Sequence, residues 1–162
     1  MAEPTAPGTT RVMLRPVASS LPLGFLALAL ATVPFAAVQL GWVVPTEGRV
    51  AAIGAIAATV PLQLLASVFG FLARDVVAAT GMGVLAGTWG TVGLVTATSP
   101  PGSVSPGLGV FLVTAGVCML VPAVSAGAKL VPAAVMTLAA VRFAVTGAYE
   151  LTASAGWKSG AG

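Results

Sequence analysis

Histidine is absent from this sequence, cysteine occurs once, and charge is scarce: Lys and Arg number 7, Asp and Glu 4, together 7% of 162 residues. The single thiol, Cys118, excludes a disulfide within the chain, and without imidazole the usual zinc and transition-metal sites cannot be assembled. Cys118 sits inside an apolar run, where a small hydrophobe is the simplest reading. No histidine base, paired carboxylates or Gly-rich phosphate loop ahead of a strand is present, so no enzymatic constellation, metal or cofactor is expected. Soluble domains solvate their surfaces with about a quarter charged residues, which this chain does not have. The net charge of +3 invites a nucleic-acid reading. However, Arg11, Arg15, Arg49, Arg74, Lys129, Arg142 and Lys158 lie scattered, most of them between apolar runs, rather than clustered on one face, which argues against that partner.

What the sequence has instead is apolar length. Hydrophobic residues make up 57% of it, and the mean hydropathy is +1.04. A polar tail over 1–20 is followed by five runs, at about 21–44, 50–72, 76–98, 107–126 and 130–151, and by a short tail over 152–162. Each run approaches or exceeds the ~20 residues that cross about 30 Å of hydrocarbon. The first is longer than the ~7–15 residues of a secretory signal core, so it reads as a retained helix. In lipid the backbone must satisfy itself, which makes such runs helices and tolerates internal prolines such as Pro34, Pro61, Pro122 and Pro132. The expected fold is all-α, a polytopic transmembrane bundle of five membrane-spanning helices with the lipid bilayer as solvent. The very short Ala73-Arg74-Asp75 link makes helices two and three antiparallel neighbours, and the segment Ser99 to Pro106 is the clearest loop. Arg11, Arg15, Arg74 and Lys129 fall on one side and Arg49 and Lys158 on the other, so the positive-inside rule places the N-terminus in the cytoplasm, in the cell membrane.

Within the runs a few residues stand out. Gly83 and Gly87 form a GxxxG pair in the Gly-rich third run, a spacing that lets helix backbones approach closely, within the protomer or between protomers. Arg142 lies inside the fifth run. Such depth marks a substrate path or an internal ion pair, unless the side chain snorkels to the interface. Glu150 is two turns away, about 12 Å along the axis, too far for direct pairing. Gln39 and Gln63 are polar groups in helices one and two that either bridge helices or line a path. Trp42 and Trp157 suit interfacial anchoring, and Trp89 suits packing.

The start of helix one, Pro22-Leu23-Gly24, resembles the Asn-Pro-Ala-Pro-Leu-Gly-Leu motif of the acetate uptake transporter family (acetate/succinate–proton symporters), although Ser19, Ser20 and Leu21 replace its first part. Other landmarks agree in order. Gln63 is similar to a helix-two Gln of the family, and Arg74-Asp75 before Thr80 to its short Gly-Asn-Thr turn. Trp89 falls at a Phe-Trp pair, Lys129 before helix five, and Gly156-Trp157 at the pair introducing helix six. The family has six helices per protomer and assembles as hexamers, so the resemblance implies a divergent member lacking the sixth helix, with truncation as the favoured explanation.

The resemblance also implies a function: a permease for acetate or a similar small monocarboxylate anion, proton-coupled and homo-oligomeric. The family's pathway constriction maps by register onto Leu28, Leu85 and Leu138. Leu138 precedes Arg142 by four residues and shares its helix face, so Arg142 would line the same path and attract a carboxylate. The alternative is a non-transporting membrane scaffold or accessory protein with the same bundle, which the apolar leucine trio favours.

Overall fold

The structure, a computed structural model, describes residues 18–154, 156, 157, 160 and 162; Arg11, Arg15 and Lys158 lie outside the described residues. Those described are all-helical, and no strand occurs among them. The order is α1 (Leu21–Gln39), a 3-10 turn (Pro45–Glu47), α2 (48–72), α3 (Val76–Thr98), α4 (Pro106–Ser125) and α5 (Leu130–Thr152). Five helices, the second counted from Pro45, are long and apolar enough to cross a membrane.

Local chemistry sets the helix ends. α1 stops at Gln39, short of Val44, although the apolar run continues. Gly41 takes a φ of +75°. The Trp42 N–H then donates to Ala37 O (2.8 Å) and the Gly41 N–H to Val38 O (3.2 Å), the bond pair of a Schellman cap. Pro45 next disfavours helical backbone at Val44. The same cap recurs after α2 with Arg74 at φ 56°, where the Asp75 N–H donates to Gly70 O (2.9 Å). Asp75 then caps α3 by accepting from the Ala78 N–H at 3.2 Å.

Pro61 cannot donate to the fourth carbonyl before it, and α2 accommodates it with a π turn over Ala55–Thr59. Thr59, within that turn, donates its hydroxyl to Ala27 O of α1 at 3.0 Å.

α3 is the most buried helix and forms the axis of the bundle. α1 and α2 pack on one side of it, and Gly70 and Gly93 of this group meet neighbouring helices closely. On the other side α4 and α5 form the tightest pair, because Gly109 and Gly116 face the backbone of α5 and Gly147 faces that of α4. A Cβ at Gly147 would stand 2.8 Å from Gly109 O, and one at Gly116 would stand 2.9 Å from Ala140 O. The outer surface is apolar, with Leu26, Val33, Phe71, Val121 and Val124 exposed as a bilayer requires.

The Gly83–Gly87 pair does not pack as a unit. Gly83 lies against Ser67 of α2, whereas a Cβ at Gly87 would meet nothing within 4 Å. Gly87 is exposed, so within the protomer only Gly83 of the pair makes a close contact.

At the end where α2 meets α3 and α4 meets α5, Lys129 Nζ pairs with Asp75 Oδ2 at 2.8 Å and clasps the two turns together. Burial raises the Asp75 carboxyl's pKa. The Lys129 hydrogen bond and charge, with the Ala78 and Val77 amides, outweigh that and hold it below its ordinary value.

Candidate functional site

Arg142 lies near the middle of the 23-residue α5, and its side chain turns inward toward α1. The guanidinium donates to Gln39 Oε1 at 3.1 Å and, weakly, to Thr32 O at 3.4 Å. Its Cζ lies 5.7 Å from the ring centroid of Trp89, a cation–π geometry. Trp89 is itself fixed by an aromatic pair on each side, Phe35 of α1 at 5.4 Å and Phe143 of α5 at 6.1 Å. Three helices thus place a cation inside the bundle, with rings and neutral oxygens among its contacts.

Above this cluster the bundle opens. At the end where α1 stops and α4 begins, a cavity of about 350 Å³ lies between the helix ends and the 99–105 loop. Gln39, Arg49, Tyr149 and Glu150 supply polar groups to its lining, and Pro100 and Pro101 form part of its wall. Phe35 and Gln39 line both this vestibule and a crevice of about 20 Å³ that touches Arg142 and Trp89. A volume of that size holds about one water. Gln39 therefore has one face in the vestibule and its amide oxygen on Arg142.

Toward the opposite end the way is closed. Leu85, one turn from Trp89 on the same side of α3, has 0% exposure. Gln63 is also fully buried, and neither its Oε1 nor its Nε2 has a hydrogen-bond partner; Trp89 Nε1 is likewise buried and unpartnered. Buried polar groups without partners are costly, so these atoms mark places where a water would be favoured.

The structure brings Gln39 and Arg142 together, but it scatters the other expected path residues. Leu28 is half-buried against the core, Leu85 is buried, and Leu138 is 69% exposed on the outer face. The three do not form a ring within the protomer, because the turn of α5 that brings Arg142 inward leaves Leu138 on the outer face. Pro22 is exposed in the first turn of α1, and Leu23 lines an outer apolar groove. Gly24 is buried where a Cβ would collide with the Met82 side chain, so it serves α1–α3 packing. Gln63 belongs to the buried face of α2, and its amide is not hydrogen-bonded to any of the described residues.

Sequence reasoning left Trp89 as packing and set Glu150 aside as too distant from Arg142. Glu150 instead accepts from the Ser105 N–H at 2.6 Å, across to the start of α4. The aromatic at the depth of an intramembrane arginine was the available signal for Trp89; nothing in the sequence pointed to the Ser105 contact.

No protein-family model, curated protein or solved structure matches this chain.

Proposed function

We propose that the protein is a permease for acetate or a similar small monocarboxylate, coupled to proton movement, acting in the cell membrane with its N-terminus cytoplasmic. The observation that carries this reading is the Arg142 guanidinium at mid-depth beneath an open vestibule. An anion leaving water for hydrocarbon needs its charge offset. A guanidinium offers a carboxylate two parallel donors, and exchanging the amide oxygen of Gln39 for a carboxylate replaces a neutral acceptor with a charged one. The vestibule admits an anion of acetate's size, and Arg49 on its wall adds a second positive charge along the approach. Beyond Arg142 the path narrows at Trp89, Phe143 and Leu85, where a protonated, neutral acid passes far more easily than an anion. Proton coupling and an apolar constriction are therefore compatible. The resemblance to the acetate uptake transporters supports the same substrate class and a homo-oligomeric assembly.

Labelled acetate uptake into vesicles, with wild type and Arg142→Ala, tests the proposal. Uptake that is saturable in the wild type and lost in the variant is the expected result. No uptake by the wild type at any pH removes the reading. It would leave the second one, a non-transporting scaffold with the same bundle, which the full burial of Leu85 below Arg142 favours.

A further inference from the structure

The chain has no histidine and four acidic residues, so few groups could bind a coupling proton. Glu3 lies outside the described residues, and Glu47 is exposed on the 3-10 turn. Asp75 is held by Lys129 at the far end of the bundle. Glu150 is the described carboxylate that lies within a span and lines the vestibule.

Its contact has an unusual form. Ser105 is the N-cap of α4, and its hydroxyl accepts from the Leu108 N–H at 3.3 Å. In a capping box the side chain three residues after the cap is Glu or Gln and takes the cap's own N–H. Here that position is Leu108, which cannot accept. Glu150 fills the role from another helix, with Oε2 2.6 Å from Ser105 N. An ionised carboxylate there also complements the positive end of the α4 dipole. Among the described residues this is the one hydrogen bond that ties residues 100–105 to a helix other than α4. The α4–α5 contact beside it is close-packed, since Gly109 and Gly147 meet backbone to backbone, whereas the loop hangs on the single Glu150 contact and is the part positioned to yield.

We propose that Glu150 is the proton-binding group of the vestibule, and that its protonation loosens the 99–105 loop walling the cavity. Its role in uptake rests on the permease reading, whereas the switch itself does not. Ionised, Glu150 pins the loop and places a negative charge in the path of an entering anion. Taking one proton from the vestibule's solvent converts its charge-assisted hydrogen bond to a neutral one, about half as strong, and removes the repulsion. Both effects favour anion entry at acid pH. Arg49 from α2 and Tyr149 from α5 face the same cavity, and Glu47 stands on the adjoining turn. The end of α3 contributes no titratable group, and α4 carries only Cys118, more than three turns along.

Hydrogen–deuterium exchange of the full chain in lipid nanodiscs tests this. After correction for intrinsic rates, amides over 103–108 in the wild type should exchange about tenfold faster at acid than at neutral pH. Glu150→Gln, which keeps the shape and fixes the neutral form, should exchange at the fast rate throughout. A wild type without that pH dependence, or a variant that retains it, overturns the proposal. Should Glu150→Gln not fold, infrared difference spectra of the wild type decide: a protonated-carboxyl band must titrate together with loop exchange, and titration without loosening refutes the switch. A working switch in a protein that takes up no acetate removes the permease reading alone. Acetate uptake whose pH profile is unchanged in Glu150→Gln overturns the role of Glu150 in uptake and leaves the permease reading standing.

Discussion

Replacing Gly147 with Ala tests where the bundle is tightest. The new Cβ would stand 2.8 Å from Gly109 O, 2.8 Å from Val113 Cγ2 and 3.1 Å from Val113 N. Two of these atoms are backbone of the opposing helix and cannot rotate away, so α4 and α5 must separate by several tenths of an ångström. Overpacking of this kind costs about 1–3 kcal/mol, and replacing a mid-helix glycine returns about 0.5–1 kcal/mol. The net expectation is a loss of about 0.5–2 kcal/mol. Gly87→Ala is the paired control. Its Cβ would meet nothing within 4 Å, so only the helix gain of about 0.5–1 kcal/mol remains. The two variants should shift stability in opposite directions in reversible denaturant unfolding from mixed micelles, followed by far-ultraviolet circular dichroism. Gly109→Ala combined with Gly147→Ala should cost less than the sum of the singles, because both open the same contact. A Gly147→Ala protein as stable as wild type, or one more stable than Gly87→Ala, refutes this account of the packing.

Arg142→Met should leave the bundle within about 1 kcal/mol of wild type while abolishing uptake, since removing a desolvated cation offsets the lost bonds and Gln39 can turn to the vestibule. A larger loss in the same unfolding assay would make Arg142 a structural cross-link of α1 and α5. The Asp75–Lys129 clasp is partly exposed, so Asp75→Asn should cost under about 1 kcal/mol. Because the folded state lowers the Asp75 pKa, its contribution is full above the unfolded value and fades as pH falls through the lower folded one. An acid titration of stability should therefore separate wild type from Asp75→Asn at neutral pH, begin to narrow the gap at about pH 4, and merge them only below the lower folded value. Cys118 is exposed midway along α4, facing the bilayer, and should resist a membrane-impermeant maleimide in intact membranes while reacting after denaturation. Rapid labelling in intact membranes would place that face of α4 in water.

The five spans were legible because charge is so scarce that each interruption stands out. The end of α1 was not, because hydropathy reports the solvent a segment prefers and says nothing of backbone dihedrals. Leu40 to Val44 remain apolar, yet Gly41 at φ +75° has already turned the chain. Close helix contacts were half legible for a similar reason. Glycine spacing indicates that a smooth face exists, but the face that meets a neighbour depends on the rotation of the helix. Gly109, Gly116 and Gly147 are buried in contacts, and Gly87 is open. Arg142 was visible by its depth alone. Two of its partners, Thr32 and Gln39, lie 110 and 103 residues away, and a backbone carbonyl carries no sequence mark at all.

That asymmetry bears on where selectivity would reside. A constriction of Leu28, Leu85 and Leu138 would be aliphatic throughout. On the permease reading the narrow point would instead lie directly against the cation, where Trp89 and Phe143 pack together beside Arg142 and Leu85 is buried one turn beyond. A carboxylate drawn to the guanidinium would thus meet the apolar barrier while still held, and the energetic cost of the next step depends on whether it moves as anion or acid. Desolvating a neutral acid costs a few kcal/mol and desolvating its anion far more. A proton supplied on the vestibule side of Arg142 is therefore worth more than one supplied beyond it, and Glu150 stands on that side.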